Sequence, residues 1–156
     1  MIVTAAILLL PQVFGYKTFA VLSGSMEPQY HVGSLVFAKP TSAEEIQVGD
    51  PITFKLAGDS VATHRVISID QEAQQFQTKG DANDTEDMDP VPFANLIGRA
   101  QDFSIPLFGY LTIFIKTKQG IVAGCALLIV VVLLLFLPDI LGKGDKKEQK
   151  KEKSEN

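Results

Sequence analysis

An uncharged apolar run near the C-terminus constrains the fold of this chain more than any other feature. Ile121 to Pro138 (IVAGCALLIVVVLLLFLP) contains eighteen residues and no charged side chain. That is about the length a helix needs to cross a hydrocarbon core of ~30 Å at ~1.5 Å per residue. The alternative is the core helix of a soluble domain, but so small a domain could hardly surround a helix that is apolar on every face. The pattern therefore predicts a transmembrane helix over residues 120–138.

The segment after this run, residues 139–156, is a low-complexity tail that ends in GKGDKKEQKKEKSEN. It is too polar to bury the apolar surface that folding requires, so it is predicted to be disordered. Its six lysines lie just beyond the helix, where positive charge marks the cytoplasmic side of a membrane. We therefore expect a cytoplasmic tail and an extracytoplasmic domain before the helix.

Residues 1–16 form a second, shorter apolar segment, which we predict to be an N-terminal membrane anchor. A helix from Met1 to Gly15 would reach only ~22 Å, less than a membrane core requires. A chain that starts inside the first helix would explain this length. A cleavable signal peptide with TFAVLSG as its processing region is the alternative, but the basic segment that opens such peptides is absent.

The residues between the two apolar segments, 17–119, are predicted to form one mostly β domain. Short apolar and β-branched runs alternate there with turns rich in Gly, Pro and Asp: FAVLS, SLVFA, PITFKL, SVATHRVISI, QQFQTKG and NLIGRA. This spacing is typical of strands. No stretch of the domain shows a sustained helical period, apart from a possible turn at TSAEEI, where Thr41 or Ser42 could cap.

Length, charge and cysteine content exclude several classes of protein. A chain of 156 residues allows one modest domain plus anchors. The net charge of -4 gives no basic face for a nucleic acid, so we expect no nucleic-acid partner. The single cysteine, Cys125, lies in the apolar run, so the sequence offers neither a disulfide framework nor a cysteine-rich metal site.

The sequence Ser23-Gly24-Ser25-Met26-Glu27-Pro28 follows directly on the apolar FAVL and places a serine near the first membrane boundary. A serine hydroxyl is a poor nucleophile at neutral pH and needs a base and donors for the oxyanion. Taken alone, SGS is better explained by a flexible turn.

Two histidines are available as that base. His64 lies in the β-like run VATHRVISI, where packing does not need an imidazole, and it is the natural candidate; a half-exposed strand histidine is the alternative. His31 follows a turn proline and has the character of a loop residue.

An acidic, glycine-containing segment, TKGDANDTED, spans Thr78 to Asp87. Such a segment could bind calcium, orient a histidine, or be a solvated loop. It lacks the ligand spacing and glycine position of an EF-hand loop, so we expect no metal and no other cofactor.

Together these motifs resemble one family, the type I signal peptidases. The boxes SGSMEP, GSLVFAKP, VGDPITFK, THRV, TKGDANDTED and IGRA occur in the family's order and with similar spacing, over roughly residues 14–118. THRV is similar to the endoplasmic-reticulum-type (ER-type) branch, also found in archaea and some Gram-positive bacteria, which has a histidine where the main bacterial branch has a catalytic lysine. The short first anchor and the second anchor with its Lys/Glu tail depart from the main bacterial enzymes.

The resemblance implies a role for each candidate residue. Ser25 would be the nucleophile and His64 the general base, and Asp81 and Asp87 would be the acids of the KGD box. The Ser23 hydroxyl and the Ser25 backbone N–H would form the oxyanion hole. Of the two acids, we favour Asp87 as the one that orients His64 and Asp81 as the one that holds its loop by accepting backbone N–H bonds.

The function implied is that of a multi-pass cell-membrane serine endopeptidase that removes signal peptides from exported preproteins. Its expected partners are preprotein signal peptides and the lipid bilayer, and an association with the secretion translocon is a further expectation. One alternative is a non-catalytic membrane-anchored β-domain adaptor, which should lack Ser25 or His64. The other is a soluble Ser-Lys autoprotease of the repressor-cleaving type, against which the transmembrane helix and the acidic balance argue.

Overall fold

The alternating apolar and turn-rich segments in the middle of the chain form a single antiparallel sheet. The computed structural model describes residues 11–58 and 60–152, with side chains up to residue 136. Most of the predicted N-terminal anchor, residues 1–10, lies outside this range. The described chain divides into two compact units, one that ends at Ile113 and one that begins at Phe114.

The first unit contains seven strands in the spatial order β1-β2-β7-β3-β4-β5-β6. The strands are β1 (Lys17–Ala20), β2 (Leu35–Lys39), β3 (Pro51–Lys55), β4 (Val61–Asp70), β5 (Gln75–Lys79), β6 (Val91–Pro92) and β7 (Leu96–Ile105). Each of the six predicted runs contributes to a strand, and the prediction of a mostly β fold is confirmed. The two-residue strand β6 was not predicted, because so short a pairing leaves no alternation in the sequence.

Two clusters of buried side chains hold the sheet together. The first lies around β3, β4 and β5 and consists of Ile46, Ile52, Phe54, Val66, Phe76 and Val91. The second joins the loop after β1 to β2 and β7 and consists of Met26, Tyr30, Val36 and Ala100. Without a disulfide among the described residues, this burial is what stabilises the unit.

A short helix, α1 (Phe108–Lys116), follows β7. The sequence analysis found no sustained helical period in this part of the chain and did not predict this helix. The segment FGYLTIFIK is rich in aromatic and β-branched residues and has no polar face, so it lacks the amphipathic period by which a helix is recognised. At its start, the buried Gly109 lies so close to the Ser34 carbonyl that an added Cβ would meet that oxygen at 2.3 Å.

The second unit contains the long helix α2 (Lys118–Glu152). Its segment Lys118–Phe136 is long and apolar enough to cross a bilayer and is almost entirely exposed, which fits the predicted membrane helix. The helix continues into the tail, where the sequence analysis expected disorder from residue 139. Lysine, glutamate and glutamine are good helix formers, so a tail too polar for a core can still extend an existing helix.

Tyr30 anchors the loop between β1 and β2 in the second cluster. Its side chain is buried, and its hydroxyl donates a hydrogen bond of 2.8 Å to the Gln101 carbonyl on β7. Burial, helped by the negative charge of Asp102, raises the pKa of Tyr30 well above its ordinary value. The phenol therefore stays protonated in the folded protein.

This gives a pH-dependent prediction. A native pKa above the unfolded value adds stability that is complete below about pH 10 and is lost as the pH rises toward the native pKa. Tyr30→Phe should lose about 0.5–1.5 kcal/mol at neutral pH, from the missing hydrogen bond, and decline less than wild type between about pH 9 and 11. Urea unfolding of both proteins at neutral pH, at about pH 9 and at about pH 11 measures this. Tyr110→Phe, which changes a more exposed tyrosine, is the control. Parallel declines in Tyr30→Phe and wild type would contradict it.

Candidate active site

The loop between β1 and β2 carries Ser25 and is held by the residues that directly follow it. Met26 and Tyr30 are buried, and the Tyr30 N–H donates to the Met26 carbonyl at 2.9 Å. Ser25 itself is only partly buried. The apolar residue beside the serine thus fixes the loop in the core while the hydroxyl remains accessible.

His64 lies on β4, an interior strand of the sheet, and faces this loop. In the sheet it pairs with Ile52 of β3, and the ring of Phe54 packs edge-on against the imidazole with centroids 6.1 Å apart. Its Nε2 lies 3.2 Å from the Ser25 hydroxyl oxygen. The histidine and the serine, 39 residues apart in sequence, are therefore within hydrogen-bonding reach.

The other ring nitrogen of His64 contacts Asp87. Nδ1 lies 2.6 Å from Asp87 Oδ2, and both side chains are largely shielded from solvent. An ionised carboxylate can only accept hydrogen bonds, so in a neutral imidazole Nδ1 carries the proton and Nε2 presents its lone pair to Ser25. A hydroxyl, an imidazole and a carboxylate are thus linked in a row, a geometry in which the imidazole can accept the hydroxyl proton.

Asp87 is itself held by β5. The Thr78 hydroxyl donates to Asp87 Oδ2 at 2.7 Å, and the Gln77 side-chain amide donates to the Asp87 backbone carbonyl at 2.6 Å. Sequence reasoning did not identify Thr78 or Gln77. The signal for Thr78 was its position two residues after Phe76, on the buried face of a strand, where a hydroxyl needs a partner.

Asp81 lies in the same acidic segment but binds elsewhere. The Arg65 guanidinium donates to both Asp81 oxygens, from Nε at 2.7 Å and from its terminal nitrogen at 2.5 Å, and it also donates to the Gly49 carbonyl at 2.8 Å. The hydrogen bond from Arg65 to Asp81 raises the pKa of the guanidinium, which stays charged. Through Arg65, Asp81 ties the loop after β5, here called the acidic loop, to β4 and to the turn before β3. Its partner is a guanidinium, where the sequence analysis expected backbone N–H groups.

The acidic loop also touches the main chain of the serine. The Ala82 N–H donates to the Ser25 carbonyl at 2.9 Å. A Cβ on Gly80 would lie 2.6 Å from the same carbonyl oxygen, so only glycine permits this approach. The KGD sequence therefore brings the loop that carries Asp87 against the loop that carries Ser25.

The remaining candidates lie on the exposed side of the serine loop. The Ser23 hydroxyl is 3.4 Å from the Ser25 hydroxyl, and its role in an oxyanion hole, like that of the Ser25 N–H, stays a prediction. His31 contacts Glu27 at 2.6 Å and is largely exposed, which suits a loop residue. In the part of the chain that the structure describes, no group of His, Cys, Asp or Glu is arranged to hold a metal ion.

Comparison with known proteins identifies relatives of one kind. The chain is 41% identical over 99 residues to signal peptidase I W of Bacillus subtilis, a match that covers 62% of this chain and 52% of that protein. It is 35% identical over 118 residues to the signal peptidase complex catalytic subunit SEC11C of Rattus norvegicus, which covers 66% of this chain and 61% of the relative. It is 32% identical over 107 residues to the SEC11 subunit of Candida dubliniensis, with 62% and 63% covered.

The matches span a little over half to about three-fifths of these relatives' lengths. No family model matches the chain. The homologues, a bacterial signal peptidase I and SEC11 catalytic subunits of signal peptidase complexes, confirm the resemblance to the ER-type branch of the type I signal peptidases.

Proposed function

We propose that this chain is a membrane-bound serine endopeptidase that removes signal peptides from exported preproteins. The observation that carries the proposal is the continuous contact from the Ser25 hydroxyl through the imidazole of His64 to the carboxylate of Asp87, with distances of 3.2 and 2.6 Å. The names of the homologues supply the substrate class.

In the proposed reaction, the Ser25 oxygen attacks the scissile carbonyl carbon while His64 Nε2 takes the hydroxyl proton. The carbonyl oxygen becomes an oxyanion, which the Ser23 hydroxyl and the Ser25 N–H stabilise. The imidazolium is stabilised by Asp87 and returns its proton to the leaving amine as the peptide C–N bond breaks. A water molecule, deprotonated by His64, then hydrolyses the acyl-enzyme.

The substrate is proposed to bind as an extended strand beside the serine loop. β1 is an edge strand of the sheet and leads directly into the segment that carries Ser25. An extended peptide can add to such an edge through main-chain hydrogen bonds, and small apolar pockets beside the serine would select alanine-like residues.

The proposal includes a location. The apolar part of α2 crosses the membrane, the β domain (17–119) lies outside the cell, and the tail is cytoplasmic. The lipid bilayer and the secretion translocon are the proposed surroundings, because signal peptides emerge from the translocon at the membrane surface.

Replacing the nucleophile tests the activity. Ser25→Ala should abolish cleavage of a preprotein by the detergent-solubilised protein, while expression and membrane insertion stay near normal, because only one hydroxyl is removed. Residual catalysis by binding and the oxyanion hole, ~10³–10⁴ over water in serine proteases, would be invisible in such an assay. Full cleavage by Ser25→Ala would remove this serine from the mechanism. No cleavage by wild type, with preproteins from several sources, would favour the adaptor alternative.

The two acids should differ in what they support. Asp87→Asn should lose cleavage, by up to about 10⁴-fold, with an unchanged melting temperature, since the amide favours the wrong tautomer of His64. Asp81→Asn should lower the melting temperature as well, because it breaks the paired bonds to Arg65.

Asp84→Asn, an exposed acid of the same loop, is the matched control and should resemble wild type in both measurements. Cleavage at the wild-type rate by Asp87→Asn would contradict the orienting role.

The topology is tested by protease protection. With a cytoplasmic tail, an epitope fused after Asn156 should resist protease added to intact cells or spheroplasts and be digested after lysis. A second epitope, placed in the exposed Gly58 turn between β3 and β4, should be digested already in intact cells or spheroplasts. Digestion of the C-terminal epitope in intact cells would contradict the proposed orientation.

A further inference from the structure

Asp87 Oδ2 contacts a second donor besides His64. The Thr78 hydroxyl donates to this oxygen at 2.7 Å, and the Thr78 side chain is fully buried. The oxygen that contacts the imidazole is therefore also bound by a group that solvent does not reach. Oδ2 contacts both the imidazole and the threonine hydroxyl.

The backbone reinforces this contact. The Thr78 carbonyl accepts the Asp87 N–H at 2.9 Å, so one residue of β5 binds both the main chain and the side chain of Asp87. Thr78 in turn pairs with Val66 of β4, two residues beyond His64. The rigid sheet thus defines the distance between the strand of the histidine and the residue that holds the acid.

We propose that Thr78 is a positioning residue that acts through Asp87. Its hydroxyl keeps Oδ2 turned toward His64 Nδ1, and this keeps the neutral imidazole in the tautomer that presents Nε2 to Ser25. The effect on catalysis rests on the proposed function. The effect on the tautomer does not, because it can be observed without substrate.

A purely structural role is the alternative, in which Asp87 merely satisfies a buried hydroxyl. The chain contains a matched case in Thr53 of β3, which is also fully buried and whose hydroxyl lies 2.9 Å from the Thr63 hydroxyl. Thr53→Val removes the same group from the same kind of strand without touching Asp87. Comparing the two positions separates loss of a buried hydrogen bond from loss of the contact with the acid.

The first measurement is ¹⁵N NMR of protein labelled at histidine, at a pH where the imidazole is neutral. The chain has only two histidines, so a His31→Gln variant assigns the His64 signals. We expect the Nδ1–H tautomer in wild type, Thr78→Ser and Thr53→Val. In Thr78→Val we expect a mixture with the Nε2–H tautomer.

The second measurement is steady-state cleavage of a preprotein. Thr78→Val should lower kcat by about 10- to 100-fold with KM unchanged, because a hydrogen bond to a charged group near the reacting atoms is lost. Thr78→Ser should restore most of kcat, and Thr53→Val should resemble wild type. Should Thr78→Val fail to fold, Thr78→Ala removes the same hydroxyl without placing a methyl group against the carboxylate.

Two results would overturn the proposal. One is an unchanged tautomer in folded Thr78→Val or Thr78→Ala. The other is an equal loss of kcat in the Thr78 and Thr53 variants, which would mark a general cost of losing a buried hydrogen bond. If wild type cleaves no preprotein, the proposed function fails, while the NMR comparison still decides whether Thr78 positions Asp87 and His64.

Discussion

The contact between Asp87 Oδ2 and His64 Nδ1 is the interaction on which the site depends. At 2.6 Å it joins a loop residue to an interior strand of the sheet, and the other ring nitrogen of His64 lies 3.2 Å from the Ser25 hydroxyl. A free imidazole samples both tautomers and many ring orientations, and only one combination directs a lone pair at the serine hydroxyl. The surrounding structure keeps His64 in this tautomer and this ring orientation.

Three attachments keep the acidic loop in place, and each uses a different kind of group. Thr78 holds Asp87 by its hydroxyl and carbonyl, and Arg65 holds Asp81 by a paired interaction with the carboxylate. Gly80 lets the loop approach the Ser25 main chain. Because these contacts come from β4, β5 and the serine loop, the two acids are not interchangeable although they lie six residues apart. Asp87 faces His64, and Asp81 ties the loop to the sheet.

The serine loop shows how a short sequence can serve packing and chemistry together. Met26 and Tyr30 fill a buried cluster, and Ser25, between them and the exposed Ser23, remains partly accessible. The high pKa of Tyr30 is a consequence of that burial, and its hydrogen bond to Gln101 ties the loop to β7. The position of Ser25 thus follows from the packing of its neighbours, which is why the SGSMEP sequence is more than a flexible turn.

The sequence by itself determined the mostly β fold and the apolar helix long enough to cross a membrane, because these depend on local pattern. It gave Ser25 and His64 as candidates through the order and spacing of several motifs, since neither residue is distinctive alone. It missed helix α1, whose apolar sequence has no periodicity, and it expected disorder where α2 continues. Only the tertiary structure decided which acid faces the histidine, since both lie in one loop and their partners come from other strands. The same holds for Thr78 and Arg65, whose contacts are made across the sheet, between residues that the sequence alone does not bring together.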